Sequence, residues 1–157
     1  TMKTPLLLAV VFLAISCGIR TSQSYYDQGT QILRTEGGGT YVIRTSGNGR
    51  NAAKARQEAK KLAVYEVIFN GVPSASSTVS PLKPLLLEVN AKEKYQDYFN
   101  AFFADGGEYE NFISARDKKA GSSSWMRNNN EVKCQTVVSV DVASLKAKLI
   151  QDNIIKR

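Results

Sequence analysis

The sequence predicts an α+β domain: a small, mainly antiparallel sheet with two longer helices packed on one face and a short C-terminal helix. Three patterns carry this. From Glu131 to Asp141 the chain alternates, with Val132, Cys134, Thr136, Val138 and Val140 on one face and Lys133, Gln135, Ser139 and Asp141 on the other, which is the period of a half-buried strand. Ala52, Ala55, Ala59, Leu62 and Ala63 recur at helical spacing, and the small alanines in such a stripe let a helix lie close to a sheet. Tyr95, Tyr98, Phe99, Phe102 and Phe103 repeat the helical period with aromatic side chains.

Taken in order, Thr40 to Ser46 is rich in β-branched and aromatic residues and is expected as a strand, ended by Gly47-Asn48-Gly49. A helix is expected from Asn51, a good cap, to about Asn70, where Asn70-Gly71-Val72-Pro73 stops it. Ser74 to Ser80 has the composition of a loop, and Leu85-Leu86-Leu87 is too short to assign. A second helix is expected from Asn90 to Ala104, with Asn90 and Glu93 as a capping pair and Asp105-Gly106-Gly107 as its end. Phe112 to Arg116 is a further candidate strand. Asn128-Asn129-Asn130 marks a hairpin turn between Trp125–Arg127 and the alternating strand. The closing helix is expected over Val142 to Asn153.

The beginning of the chain has a different character. Lys3 precedes an unbroken apolar run, Leu6 to Ile15, which as a helix would span about 15 Å, half a bilayer core, and so is too short for a membrane span. A positive charge, a short apolar core and the small Ser16 describe an export signal. Leu13-Ala14-Ile15-Ser16-Cys17 resembles the lipobox of bacterial lipoproteins, with Ala14 where leucine is usual. The resemblance implies a signal peptide over residues 1–16 and a lipid (palmitate-type) attachment at Cys17, with a cleaved signal and a chance cysteine as the alternative. Gly18 to Gly39, polar and then glycine-rich, is expected as a tether with one short ordered piece around Tyr25 to Leu33. Residues 40–157 are then expected as a single periplasmic domain.

The 157 residues hold no histidine and two cysteines. The commonest general base and metal ligand is therefore missing, no Ser-His-Asp or Cys-His arrangement can form, and the sequence calls for no enzyme, cofactor or metal. Cys134, inside the alternating strand, is expected in the core, against an intermolecular disulfide or a reactive thiol. Without Lys3 the chain carries 20 Lys and Arg against 14 Asp and Glu, a surplus of 6. That suits anionic partners such as phospholipid headgroups or an acidic protein. Nucleic acid would fit the charge but not the compartment an export signal implies. Lys54, Lys60 and Lys61, with Arg56, fall away from the alanine stripe and are candidate partner contacts, against a merely solvated face. The basic loop Arg116-Asp117-Lys118-Lys119 is weighed the same way.

Gly47-x-Gly49-x-x-Ala52 formally matches a dinucleotide-binding fingerprint. No second strand ending in an acidic residue follows soon enough, so the glycines are expected to serve a tight strand-to-helix turn instead. The strand at Tyr41, the glycine turn, the alanine helix and Gly71-Val72, with Thr136 to Ile154, resemble small lipoproteins related to the N-terminal domain of the flagellar assembly T-protein. Phe102-Phe103-Ala104-Asp105-Gly106-Gly107 more resembles lipoproteins of contractile (type VI) secretion systems. These resemblances imply a non-catalytic structural part of an envelope machine, bound to protein partners. A binding module for an anionic ligand or glycan is the alternative. Gly18-Ile-Arg-Thr-Ser-Gln23 lacks an aspartate after the cysteine and any acidic run, which points to the periplasmic leaflet of the outer membrane, with the inner membrane as the alternative.

Overall fold

The computed structural model describes residues 29–114, 124–128 and 130–156. The segment expected as a signal, Cys17 and the basic stretch at 116–119 lie outside them. No helix among the described residues is long and apolar enough to cross a membrane.

The protein is α+β. Strands β1 (Gln31–Glu36), β2 (Thr40–Gly49), β3 (Ser124–Asn128) and β4 (Glu131–Asp141) form one antiparallel sheet in the order β1-β2-β4-β3. The β3–β4 hairpin has Asn128 opposite Glu131 as its last pair, where the sequence placed the turn. In β4 the predicted face is buried: Val132, Cys134, Thr136, Val138 and Val140 are all at most 6% exposed. Asp141 ends the strand, and its carboxylate accepts the Ser144 N–H at 2.9 Å, capping α4 (Val142–Gln151, the fourth α-helix).

The sheet begins earlier than expected. β1 lies inside the segment read as tether, pairing with β2 from Gln31 opposite Arg44 to Glu36 opposite Thr40. Its sequence hides this, because only Ile32 of its six residues is buried and an edge strand of that kind shows no alternation.

Helix α1 (Ala52–Phe69) packs on β2 and β4. Asn51 caps it by accepting the Lys54 N–H at 2.9 Å, and Gly71, at φ 77°, follows its end in the left-handed conformation. Its buried residues are Ala55, Ala59, Ala63, Val64, Val67 and Ile68; Ala52 is exposed and Leu62 only half-buried, so the sheet-facing stripe is narrower than the sequence suggested.

The second helix is interrupted. Ala91–Lys94 (α2) and Gln96–Phe102 (α3) are separated at Tyr95, whose φ −111°, ψ 28° is not helical. Asn90 does not cap: it sits at φ 61° and its side chain makes no capping bond. Phe99 and Phe102 still bury, Phe99 edge to face with Phe69, and Phe102 stacked on Phe112 and edge to face with Phe103. The segment expected as a strand at Phe112 begins as the end of a 3-10 turn (Glu108–Phe112); Ile113 then makes a single bridge to Val140.

Candidate functional site

Two features answer to the sequence-level candidates: the glycine turn after β2 and the lysines of α1. The turn is a packing device. Gly47 and Gly49 lie on the face of β2 that meets α1, paired with Cys134 and Val132 of β4. A Cβ on Gly47 would collide with the backbone of Ala55 and Ala59, and one on Gly49 with the backbone of Ala55. The glycines therefore admit a helix backbone, not a phosphate. The antiparallel order of the sheet agrees, since the dinucleotide fold requires parallel strands.

The three predicted lysines do not share one surface. Lys54 Nζ lies 2.8 Å from Asp105 Oδ2 and 3.5 Å from Glu58. Lys61 Nζ lies 3.4 Å from Glu58 and 3.6 Å from Asp105. Asp105 thus reaches back from the turn after α3 to sit between two lysines two helical turns apart. Its hydrogen bond and charge contact with Lys54 hold its carboxyl below the ordinary carboxylate range, and the same hydrogen bond holds Lys54 above the ordinary lysine value. The cluster is close to neutral, so Lys54 and Lys61 are not a bare basic face. Lys60 turns to a different side, lining a depression with Ala53, Arg56, Gln57, Glu110 and Ile113. Arg56 meanwhile lies over the Trp125 ring, 4.8 Å from its centre.

What the sequence did not bring together is a groove between α1 and the α2–α3 pair, with a volume of about 670 Å³. Tyr65, Phe69, Phe99 and Phe103 form its aromatic wall, and Lys61, Lys92, Glu58 and Glu93 stand around it. Tyr65 and Phe103 meet at 5.9 Å between ring centres, and Phe69 and Phe99 at 4.7 Å, edge to face. Lys92 Nζ lies 4.7 Å from the centre of the Tyr65 ring and 5.0 Å from that of Phe69. No carboxylate lies within ion-pair distance of Lys92 among the described residues. Phe103 packs against Tyr109, ring centres 5.9 Å apart, and Tyr109 is fully buried; burial pushes its hydroxyl up to about 12. The aromatic stripe of the second helix is thus both core and groove wall. The half-exposed rings of α1, Tyr65 and Phe69, were the missing signal.

Compared with protein families, curated proteins and solved structures, the chain matches none. Among the described residues no cluster of three or more His, Cys, Asp or Glu is arranged to hold a metal.

Proposed function

We propose that this protein is a non-enzymatic lipoprotein, anchored through Cys17, that serves as a structural or scaffolding component of a bacterial envelope assembly of the secretion type. The observation that carries the reading is the run Leu6 to Ile15 ending in Ser16-Cys17, a charged-start, short-core segment followed by an acylatable thiol. The sheet-and-helix body that follows in the chain supports a scaffolding role. Its place is the periplasmic leaflet of the outer membrane, held by the lipid and by protein partners.

Labelled palmitate enters the wild type and not Cys17→Ser on this reading, and protease added to intact cells leaves the domain whole. A stoichiometric set of partners is recovered from detergent-solubilised membranes. Equal labelling of the two chains, or recovery of a lone monomer, would defeat the proposal.

A second reading, a module for an anionic ligand or glycan, is favoured by one arrangement: an ammonium without a carboxylate partner lying over the partly buried rings of Tyr65 and Phe69 at the groove, namely that of Lys92. Sugar rings stack on such faces, and Lys92 would meet an acidic substituent. On that reading acidic oligosaccharides raise the melting temperature while neutral ones do so less, and Lys92→Glu removes the difference.

A further inference from the structure

The end of α1 carries a second surface, made by the chain that returns after the Ser/Pro loop. Leu85 and Leu86 donate their N–H groups to the carbonyls of Val67 and Ile68 at 3.1 and 2.9 Å, and Leu86 is buried at 7% exposure. These bonds fix the chain against the helix. The next residues then leave the core abruptly: Leu87 is 77% exposed and Val89 83% exposed, far more than the other large exposed apolar residues among those described, Trp125 and Met126. Between them, Glu88 accepts hydrogen bonds from Lys94 Nζ and the Tyr95 hydroxyl, so the intervening carboxylate is neutralised by its own neighbours. Ala91 N–H reaches back to the Glu88 carbonyl at 3.3 Å and Asn90 adopts the left-handed conformation, which closes the tip into a turn.

Two bare aliphatic side chains on a fastened turn are not filler for a core. Two exposed lysines outside the Glu88–Lys94 pair accompany the tip: Lys83, just before it in the chain, and Lys156, close enough to act on the Glu88 charge. We propose that Leu87 and Val89 dip into the surface of an anionic phospholipid bilayer, with Lys83 and Lys156 meeting the headgroups. Apolar side chains that enter the headgroup boundary beneath a basic rim match the chemistry of such a surface on both counts. This deepens the anchored reading and rests on it. Eleven residues separate Cys17 from Gly29, so a lipid on Cys17 holds the first described residue within about 43 Å of its attachment point even at full extension.

The test uses the full chain carrying Cys17→Ser and Cys134→Ala, with one polarity-sensitive dye on either Val89→Cys or Met126→Cys. Both positions are exposed, so neither substitution threatens the fold, and both chains share the same apolar N-terminal run. In vesicles containing phosphatidylglycerol, the dye at position 89 shifts to the blue and is quenched several-fold more by bilayer nitroxides than the dye at 126. Phosphatidylcholine vesicles reduce the difference, and Lys83→Glu with Lys156→Glu raises the lipid concentration needed several-fold. Equal behaviour at the two positions, or no preference for anionic lipid, overturns the proposal. So does a response seen in native envelopes but absent from pure lipid, which would assign the tip to a protein. Absence of palmitate from the wild type together with a retained dye response would instead remove the anchor and leave this surface standing.

Discussion

Gly47 and Ala59 meet backbone to backbone, with a side chain missing on one partner and reduced to a methyl on the other. A Cβ on Gly47 would strike the amide nitrogen and Cα of Ala59, atoms fixed in α1 that cannot rotate away. The approach is what lets Ala55, Ala59 and Ala63 all reach 0% exposure against a sheet whose facing residues include the two glycines.

Gly47→Ala is therefore expected to destabilise the domain by about 3 kcal/mol, since relief requires moving the helix. Ala59→Leu, entering the same interface from the other side, is expected to cost roughly 1–3 kcal/mol. Gly37→Ala, where a Cβ would meet nothing within 4 Å, is the control and stays within about 0.5 kcal/mol of wild type. Denaturant melts of the three chains check this; a wild-type midpoint for Gly47→Ala would mean that the close contact is not a constraint.

Cys134 lies at 0% exposure between Gly47 of β2 and Trp125 of β3, in a small cluster with Ala55 and Val132. The thiol is expected to resist a bulky maleimide in the folded protein and to react fully in denaturant. Cys134→Ala removes one buried sulfur and is expected to cost on the order of 1 kcal/mol. Fast labelling under native conditions would contradict the burial.

These two sites show where the sequence was readable. The β4 alternation, the Asn51 cap and the Gly71 stop each depend on neighbours within a few residues, and each appears in the structure. β1 was not visible as a strand because Gln31–Glu36 is an edge with a single buried residue, so its order comes from pairing with Val42 and Ile43 and not from its own pattern. Asn90 looked like a cap because composition records the residue and not its φ of 61°. The groove and the charge cluster were hidden for a different reason. Lys54 and Asp105 are 51 positions apart, and a sequence in which Asp105 already explains a helix end gives no hint that it also reaches two lysines.

That cluster separates two lysines that the sequence treated alike. Lys61→Glu places a third carboxylate beside Glu58 and Asp105, whereas Lys60 lies on another side of α1. Lys60→Glu is expected to change stability by no more than about 0.5 kcal/mol. Lys61→Glu is expected to be clearly the more destabilising, and raising the salt concentration should narrow the gap because the charges are partly exposed. Thermal melts at low and high salt distinguish the two; equal effects would mean the ion pairs around Asp105 are not populated.

The last prediction concerns the bolt between α3 and α4. Tyr98 donates its hydroxyl to Asp152 Oδ2 at 2.7 Å, and Lys148 holds both Asp152, at 3.0 Å, and Glu108, at 3.1 Å. Burial alone would raise the Asp152 carboxyl, but the hydrogen bonds from Tyr98 and Lys148 outweigh it and leave it below the ordinary carboxylate range. A carboxylate depressed by folding contributes stability above its unfolded value and loses it as pH falls through the folded one. Tyr98 is displaced the other way: burial, then the Asp152 hydrogen bond, raise its hydroxyl above the ordinary tyrosine value of 10.0, so its share is present below that value and lost in stronger alkali. Tyr98→Phe keeps the ring against Phe99 and Phe102 and removes only the bond, which is expected to cost about 1 kcal/mol at neutral pH. Its acid unfolding midpoint should move to higher pH, because Asp152 returns towards its unfolded value, while its stability should fall less steeply than the wild type's above pH of about 10. Denaturant midpoints measured across pH read both limbs. Acid limbs that run parallel for the two proteins would show that Tyr98 does not hold the Asp152 carboxyl down and that the bolt does not exist in solution, whatever the alkaline limb does, since burial alone raises the Tyr98 hydroxyl.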